Sequence, residues 1–134
     1  MTFKLVNPET LGPPRGYSNG VLTDAGGRLL FVAGQVGWDK DQKIISEDFV
    51  RQFDRALANV VAVVSEAGGR PDQIAKLVLY VTSKKEYQLH LKEIGDAYRA
   101  RLGKHFPAMV LVEVTSLLDD NAKVEIEAVA VLSS

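Results

Sequence analysis

Residues 123–132, KVEIEAVAVL, alternate in a way that constrains the fold more than any other segment does. Successive side chains of a β-strand point to opposite faces, so Glu125 and Glu127 share one face and the apolar residues beside them share the other. A carboxylate on so apolar a strand costs free energy unless it reaches water, a partner or a ligand. The pattern predicts a strand with one buried face, whose other face is either solvated or part of a binding site.

The size and composition indicate one domain, spanning residues 1–134. The chain has no cysteine, which excludes disulfides, thiolate catalysis and cysteine-bound zinc. Residues 1–8 hold no apolar run of signal-peptide length, and no segment reaches the ~18 apolar residues that a membrane span needs. We therefore expect a cytoplasmic protein that does not associate with membranes.

The charges are balanced and scattered along the chain, with 16 basic residues against 17 acidic ones. Proteins that bind nucleic acids concentrate positive charge on one surface. The densest basic cluster here, Arg99, Arg101 and Lys104, lies beside Asp96 and is typical of a solvated helix end, where cations are favourable. We therefore expect no nucleic-acid partner.

The first two predicted strands form a hairpin. Residues 20–23 and 28–36 are rich in β-formers, and residues 24–27 between them carry a glycine turn signal. The second strand is apolar on both sides, which indicates that both of its faces are covered.

Two amphipathic helices and three further strands follow. Ser46 is predicted to cap a helix that runs to about Ala67, and a second helix is predicted to start at Ser83 and end at Gly103. The further strands are predicted at residues 76–81, 108–114 and 123–132. The order β-β-α-β-α-β-β predicts an α+β fold, in which two helices pack on one face of a mixed sheet.

The uncovered face of this sheet is predicted to be partly apolar. On residues 108–114 the β-branched set is expected to pack under the helices and the alternate set to face outward. The first set is Val110, Val112 and Val114, and the second is Met109, Leu111 and Glu113. With Val129 and Val131 of the last strand, the outward set makes a patch that a monomer would leave exposed. A closed homo-oligomer, with clefts between its subunits, is the simplest way to cover the patch.

Glu113 is expected to lie near Glu125 if the last two strands pair as neighbours. Like charges at that distance raise the pKa of a carboxylate, as proton-transfer sites require. The alternative is that Glu113 pairs with a cation across the interface.

Several motifs, in this order and at these spacings, resemble the reactive-intermediate deaminase (RidA/YjgF-like) family. They are GYS at 16–18, FVAGQ at 31–35, GG at 68–69, FPA at 106–108 and VEIEA at 124–128. The resemblance implies a chorismate-mutase-like α+β fold and a homotrimer with three clefts between subunits. It also implies cofactor-free hydrolysis of enamines and imines, which yields a 2-keto acid and ammonia.

The resemblance implies a role for particular residues in the cleft. Glu125 falls on the glutamate that positions water, Tyr17 on the tyrosine of the cleft, and Gly34 on a glycine whose backbone holds the substrate. The arginine that binds the substrate carboxylate should directly follow Pro107-Ala108, where this chain has Met109. Leu111 falls on a position that is small and polar, or cysteine, in the family.

Two functions remain open at this point, and a third, an RNA-directed role, is disfavoured by the lack of a basic patch. Methionine offers no charge to a carboxylate, so the first is a deaminase whose substrate lacks the usual carboxylate or is more apolar. Met109 and Leu111 would then form the cleft floor, and Arg15 is the candidate for a substitute cation. The second is a non-catalytic trimer that binds a small metabolite in the same cleft. The resemblance implies that no cofactor is needed. We also expect no metal, because the sequence suggests no ligand partners for His90 and His105 at metal-ligand spacing.

Overall fold

The computed structural model describes residues 3–24 and 26–133, so Ala25 of the predicted turn lies outside the described residues. Six strands and three helices are formed by this part of the chain. The strands are β1 (Lys4–Val6), β2 (Gly20–Leu22), β3 (Arg28–Val36), β4 (Ile74–Val81), β5 (Ala108–Glu113) and β6 (Val124–Leu132). The helices are α1 (Phe49–Glu66), α2 (Lys84–Leu89) and α3 (Leu91–Leu102). No helix of this part of the chain is both long and apolar enough to span a bilayer.

The main sheet has the strand order β3-β6-β4-β5. Strand β6 runs antiparallel to both of its neighbours, and β4 and β5 run parallel. A parallel pair needs a crossover connection, which α2 and α3 supply between β4 and β5. The core lies between this sheet and helices α1 and α3, which confirms the predicted α+β architecture with a mixed sheet covered by helices on one face.

The predicted hairpin of residues 20–23 with 28–36 is wrong. Strand β2 pairs with the short N-terminal strand β1, while β3 pairs with β6. The glycines between the two segments do favour a turn, but β3 pairs with the long central strand β6 and not with the three-residue strand β2. The expectation that both faces of β3 are covered is also wrong, because Leu29 and Phe31 are 62% and 72% exposed.

Both helical segments match the predicted regions, with differences at their ends and in the middle. Asp48, not Ser46, caps α1 by accepting a hydrogen bond from the Arg51 amide at 3.0 Å. Ser46 instead accepts from the Asp48 amide, one step earlier in the same turn. The predicted second helix begins at Ser83 as expected, but it breaks at His90 into α2 and α3.

The two faces of β5 are the reverse of the prediction. The parallel register places Met109 beside Leu77 and Leu111 beside Leu79, so both pack toward the helices. Val110 and Val112 lie on the open side of the strand, where they are 44% and 39% exposed.

Two further predictions about the open face are corrected. Glu113 lies at the end of β5, which pairs with β4 and not with β6, and its carboxylate accepts from the Lys84 amide at 2.9 Å. It is therefore not a neighbour of Glu125. Val131 is only 4% exposed, so it adds nothing to the open face.

A buried glutamine on α1 joins two loops at one end of the sheet. Gln52 is fully buried, and its amide nitrogen donates to the carbonyl oxygens of Ser46 and Asn121 at 2.8 and 3.1 Å. Its side-chain oxygen accepts from the Lys123 amide at 2.8 Å. The loops that it joins form the two sides of a broad, open groove of about 870 Å³.

Candidate functional site

The first candidate group lies on the open face, where Glu125 of β6 crosses Gly34 of β3. The register between these strands shifts between Val32 and Gln35, around Gly34. A methyl group at position 34 would lie 2.8 Å from Cδ of Glu125 and would collide with its carboxylate oxygen. Only a glycine at position 34 leaves room for the Glu125 carboxylate. The structure thus brings together two of the residues that the sequence singled out.

Tyr80 lies beside this pair and was not recognised in the sequence. It faces Glu125 across the β4–β6 register, and its hydroxyl donates a hydrogen bond to Glu127. This hydrogen bond, followed by burial and by the charges of Glu127 and Glu125, raises the pKa of Tyr80. The hydroxyl therefore stays protonated and acts as a donor between two carboxylates. Only the register of β4 against β6 could have revealed it.

The second candidate group surrounds a cavity of about 200 Å³ on the opposite side of the sheet. Its walls are mostly aromatic and aliphatic, and two arginines line it as well. The apolar wall includes Phe53, Leu79, Tyr87, Ile94, Tyr98, Phe106 and Met109, and the arginines are Arg15 and Arg99. Met109 thus takes part in an apolar lining, as its residue type indicates, although it does so on the helix side.

The loop that carries Arg15 is fixed against the start of β5. The buried Ser18 donates from its hydroxyl to the Phe106 carbonyl at 2.6 Å and from its amide to the Pro107 carbonyl at 3.1 Å. These bonds hold Arg15 and Gly16 at the cavity. Tyr17, between Gly16 and Ser18, is 37% exposed and does not line it.

The rigid wall of the cavity comes from two stacked rings. Tyr98 and Phe106 lie with their centroids 5.8 Å apart and their planes 4° from parallel. The Tyr98 hydroxyl donates to the His105 carbonyl at 2.8 Å, and burial raises the pKa of this phenol. The ring therefore acts as a neutral, preorganised surface.

The two groups are separate within the chain. Glu125 faces Tyr80, which in turn faces Val112, so Met109 lies two strands away and three residues back along β5. Strand spacing and rise make this about 10 Å across and about 10 Å along the sheet, on opposite faces. Leu111 packs into the core and does not line the cavity. Within the chain, Glu125 therefore does not meet Met109 or Arg15.

Known proteins match this chain along nearly its whole length. A model of the endoribonuclease L-PSP family matches residues 8–132. The 2-iminobutanoate/2-iminopropanoate deaminase of Salmonella typhimurium is 33% identical over 127 residues, covering 92% of this chain and 91% of that protein. YyfB of Yersinia pestis, a Rid family protein of unknown function, has a TM-score of 0.87 at 31% identity, covering 98% and 100%. Escherichia coli TdcF, solved with bound serine, has a TM-score of 0.67 at 28% identity, covering 99% of both chains.

Proposed function

Because this chain belongs to the RidA/YjgF-like family and has its chorismate-mutase-like fold, we propose that it is a cofactor-free deaminase of small enamines or imines. In this reaction one water molecule adds to the C=N carbon, and the product is a carbonyl compound plus ammonia. The proposed enzyme is a homotrimer that holds its substrate in clefts between subunits.

The observation that carries this proposal is the Glu125 carboxylate crossing Gly34 on the open face. With the imine nitrogen protonated, a carboxylate there can accept one proton as the water oxygen attacks the imine carbon, and can return it to the nitrogen of the carbinolamine. It then accepts the hydroxyl proton as the C–N bond breaks and the C=O bond forms, and passes it to the departing ammonia. The proton count balances without a redox partner. Tyr80, whose hydroxyl donates to Glu127, faces this carboxylate from the neighbouring strand.

Assembly into the proposed trimer would bring together Glu125 and the cavity, which are separate in one subunit. The open face exposes apolar side chains on both edge strands, namely Leu29, Phe31, Val110 and Val112. A patch of this kind favours burial against other copies of the chain. In the proposed trimer, the Glu125 face of one subunit meets the cavity edge of its neighbour, so that base and substrate pocket come from different copies.

Replacing Phe31 with Asp should dissociate the proposed trimer. Phe31 is 72% exposed on β3, and a charge placed there would lose its hydration in the interface without gaining a partner that compensates for it. We expect light scattering to report trimer for the unmodified chain and monomer for the variant at micromolar concentration.

The matched control for this variant is Leu118→Asp. Leu118 is fully exposed in the loop before β6 and is not part of a sheet strand, so this variant should remain trimeric. A monomeric unmodified chain, or a trimer that survives Phe31→Asp, would contradict the proposed interface.

The reaction itself is tested with freshly generated imines. An amino-acid oxidase produces 2-imino acids in the assay, and ammonia or trapped imine is followed with and without the protein. We expect loss of imine to accelerate with protein concentration. A rate equal to buffer across short, branched and aromatic imines would refute the deaminase proposal.

The second candidate function is binding without catalysis. It is favoured by Met109, which stands where the resemblance places the arginine that holds the substrate, and by the distance from Glu125 to the cavity in one subunit. Saturable binding of a 2-keto acid together with a buffer-level imine rate would support this candidate.

A further inference from the structure

We propose that Arg15 and Arg99 together bind the carboxylate of a small acid whose apolar side chain fills the 200 Å³ cavity. The inference deepens the proposed function and rests on it, because it names the substrate class: 2-imino acids with a branched aliphatic or aromatic side chain. The cation for the carboxylate comes from the Arg15 loop and from helix α3, not from β5.

Arg99 is positioned at the cavity by two neighbours on α3. One terminal nitrogen of its guanidinium donates to the Asp96 carboxylate at 2.8 Å. The guanidinium lies over Gly95, where an added methyl group would be 3.2 and 3.3 Å from the two terminal nitrogens. A guanidinium has five donors, so the bond to Asp96 leaves others for a ligand.

Arg15 approaches the same cavity from a loop that Ser18 holds in place. Among the residues that the structure describes, Arg15 makes no hydrogen bond or ion pair. Asp96 shares its charge between Arg99 and Lys92, the latter at 3.2 Å. The cavity therefore keeps an excess of positive charge, which favours an anion, and paired guanidinium donors suit a carboxylate.

The apolar wall of the cavity determines the size and the polarity of the ligand's side chain. Tyr98 and Phe106 form a flat stacked surface, and Met109 is a flexible apolar filler beside it. The volume of about 200 Å³ lies below the roughly 300–1,000 Å³ of sites for drug-sized ligands, so the ligand is small. A short polar side chain would leave most of this surface without contacts, whereas a branched or aromatic one would cover it.

The probe is 4-methyl-2-oxopentanoate, the keto acid expected from a branched imine, titrated into the protein by calorimetry. Its amide has the same shape without the charge, and 2-oxopropanoate has the charge without the apolar chain. We expect the probe to bind at least about tenfold more tightly than either comparison compound, since each lacks one half of the recognition. Equal affinity for the probe and its amide would overturn the proposal.

Three substitutions test where the carboxylate of the probe binds. Arg15→Gln and Arg99→Gln should each weaken binding of the probe by roughly tenfold or more. Gly95→Ala should weaken it less than either of these, because the added methyl group would shift the Arg99 guanidinium by only a few tenths of an ångström, without any change of charge.

The matched control is Arg101→Gln, on the same helix and with the same change of charge. Arg101 pairs with Asp54 at 3.0 Å and does not line the cavity, so the affinity of this variant should stay within about twofold. Equal weakening by Arg101→Gln and Arg99→Gln would mean a long-range charge effect only, and would overturn the proposal.

The same variants separate this inference from the proposed function. Binding of the probe that depends on Arg15 and Arg99, without any imine hydrolysis, would support the carboxylate site and refute the chemistry. Imine hydrolysis that neither substitution alters would support the chemistry and refute the carboxylate site.

Discussion

Replacing Glu125 with Gln should lower kcat for imine hydrolysis by about 100-fold or more, the usual contribution of a general base. The amide keeps the size and the position over Gly34 but cannot accept the proton of the attacking water. KM should change little, because other residues form the proposed substrate cavity. Single-turnover rates with oxidase-generated imine measure the effect.

Glu127→Gln is the matched control for this prediction. Glu127 lies on the same strand and the same face as Glu125, and removing its charge alters the local field equally, but it contacts Tyr80 and not Gly34. We expect its effect on kcat to be less than about tenfold. A Glu125→Gln variant that remains trimeric and retains more than a third of the activity would show that the base is elsewhere.

Replacing Gln52 with Leu should lower the free energy of unfolding by about 3 kcal/mol or more. The leucine fills most of the same volume, but it removes three hydrogen bonds and leaves the carbonyls of Ser46 and Asn121 and the amide of Lys123 without their partner. These three hydrogen bonds are partly buried, and a buried group left unsatisfied costs roughly 1–3 kcal/mol. Urea unfolding at several protein concentrations measures the loss and separates it from any effect of assembly.

Gln88→Leu provides the comparison for Gln52. Gln88 is exposed on α2, so the same chemical change there should stay within about 0.5 kcal/mol. A loss below about 1 kcal/mol for Gln52→Leu would mean that the two loops rearrange to satisfy their own backbone groups. In that case Gln52 would not be what joins them.

The sequence predicted the faces of β6 correctly around Glu125 and Glu127, because the two faces differ in kind there. Glu125 and Glu127 alternate with residues that can only be buried, and a shift of one residue would bury both carboxylates. On β5 the alternate sets, Met109 with Leu111 and Val110 with Val112, are both apolar. Hydrophobicity therefore could not decide which set faces the helices, and the parallel register with β4 decided it.

Long-range pairing accounts for the other differences. The partner of β2 and the partner of β3 are far from the predicted turn, and no local signal names them. Tyr80 faces Glu125 only because β4 lies beside β6. The predicted site residues were partly brought together, as with Gly34 and Glu125, and partly separated, as with Glu125 and Met109. The sequence indicated residue types, while the sheet order decided which of them are neighbours.

The arginine at position 99 was interpreted as part of a solvated helix end, and half of its side chain is exposed, at 53%. That interpretation rested on composition, which cannot show that Gly95 leaves room for the guanidinium at a cavity. An arginine four residues after a glycine on one helix face is the signal that was available. It becomes informative only when a cavity lies beside that face.

The central strand β6 comes last in chain order, yet it hydrogen-bonds to β3 on one side and to β4 on the other. Until it inserts, β3 has no partner in the main sheet, and one edge of β4 is open. A partly folded chain therefore has neither a continuous sheet nor a carboxylate over Gly34. Completion of the sheet and creation of the proposed base are one event, so no folding intermediate without β6 should hydrolyse imines.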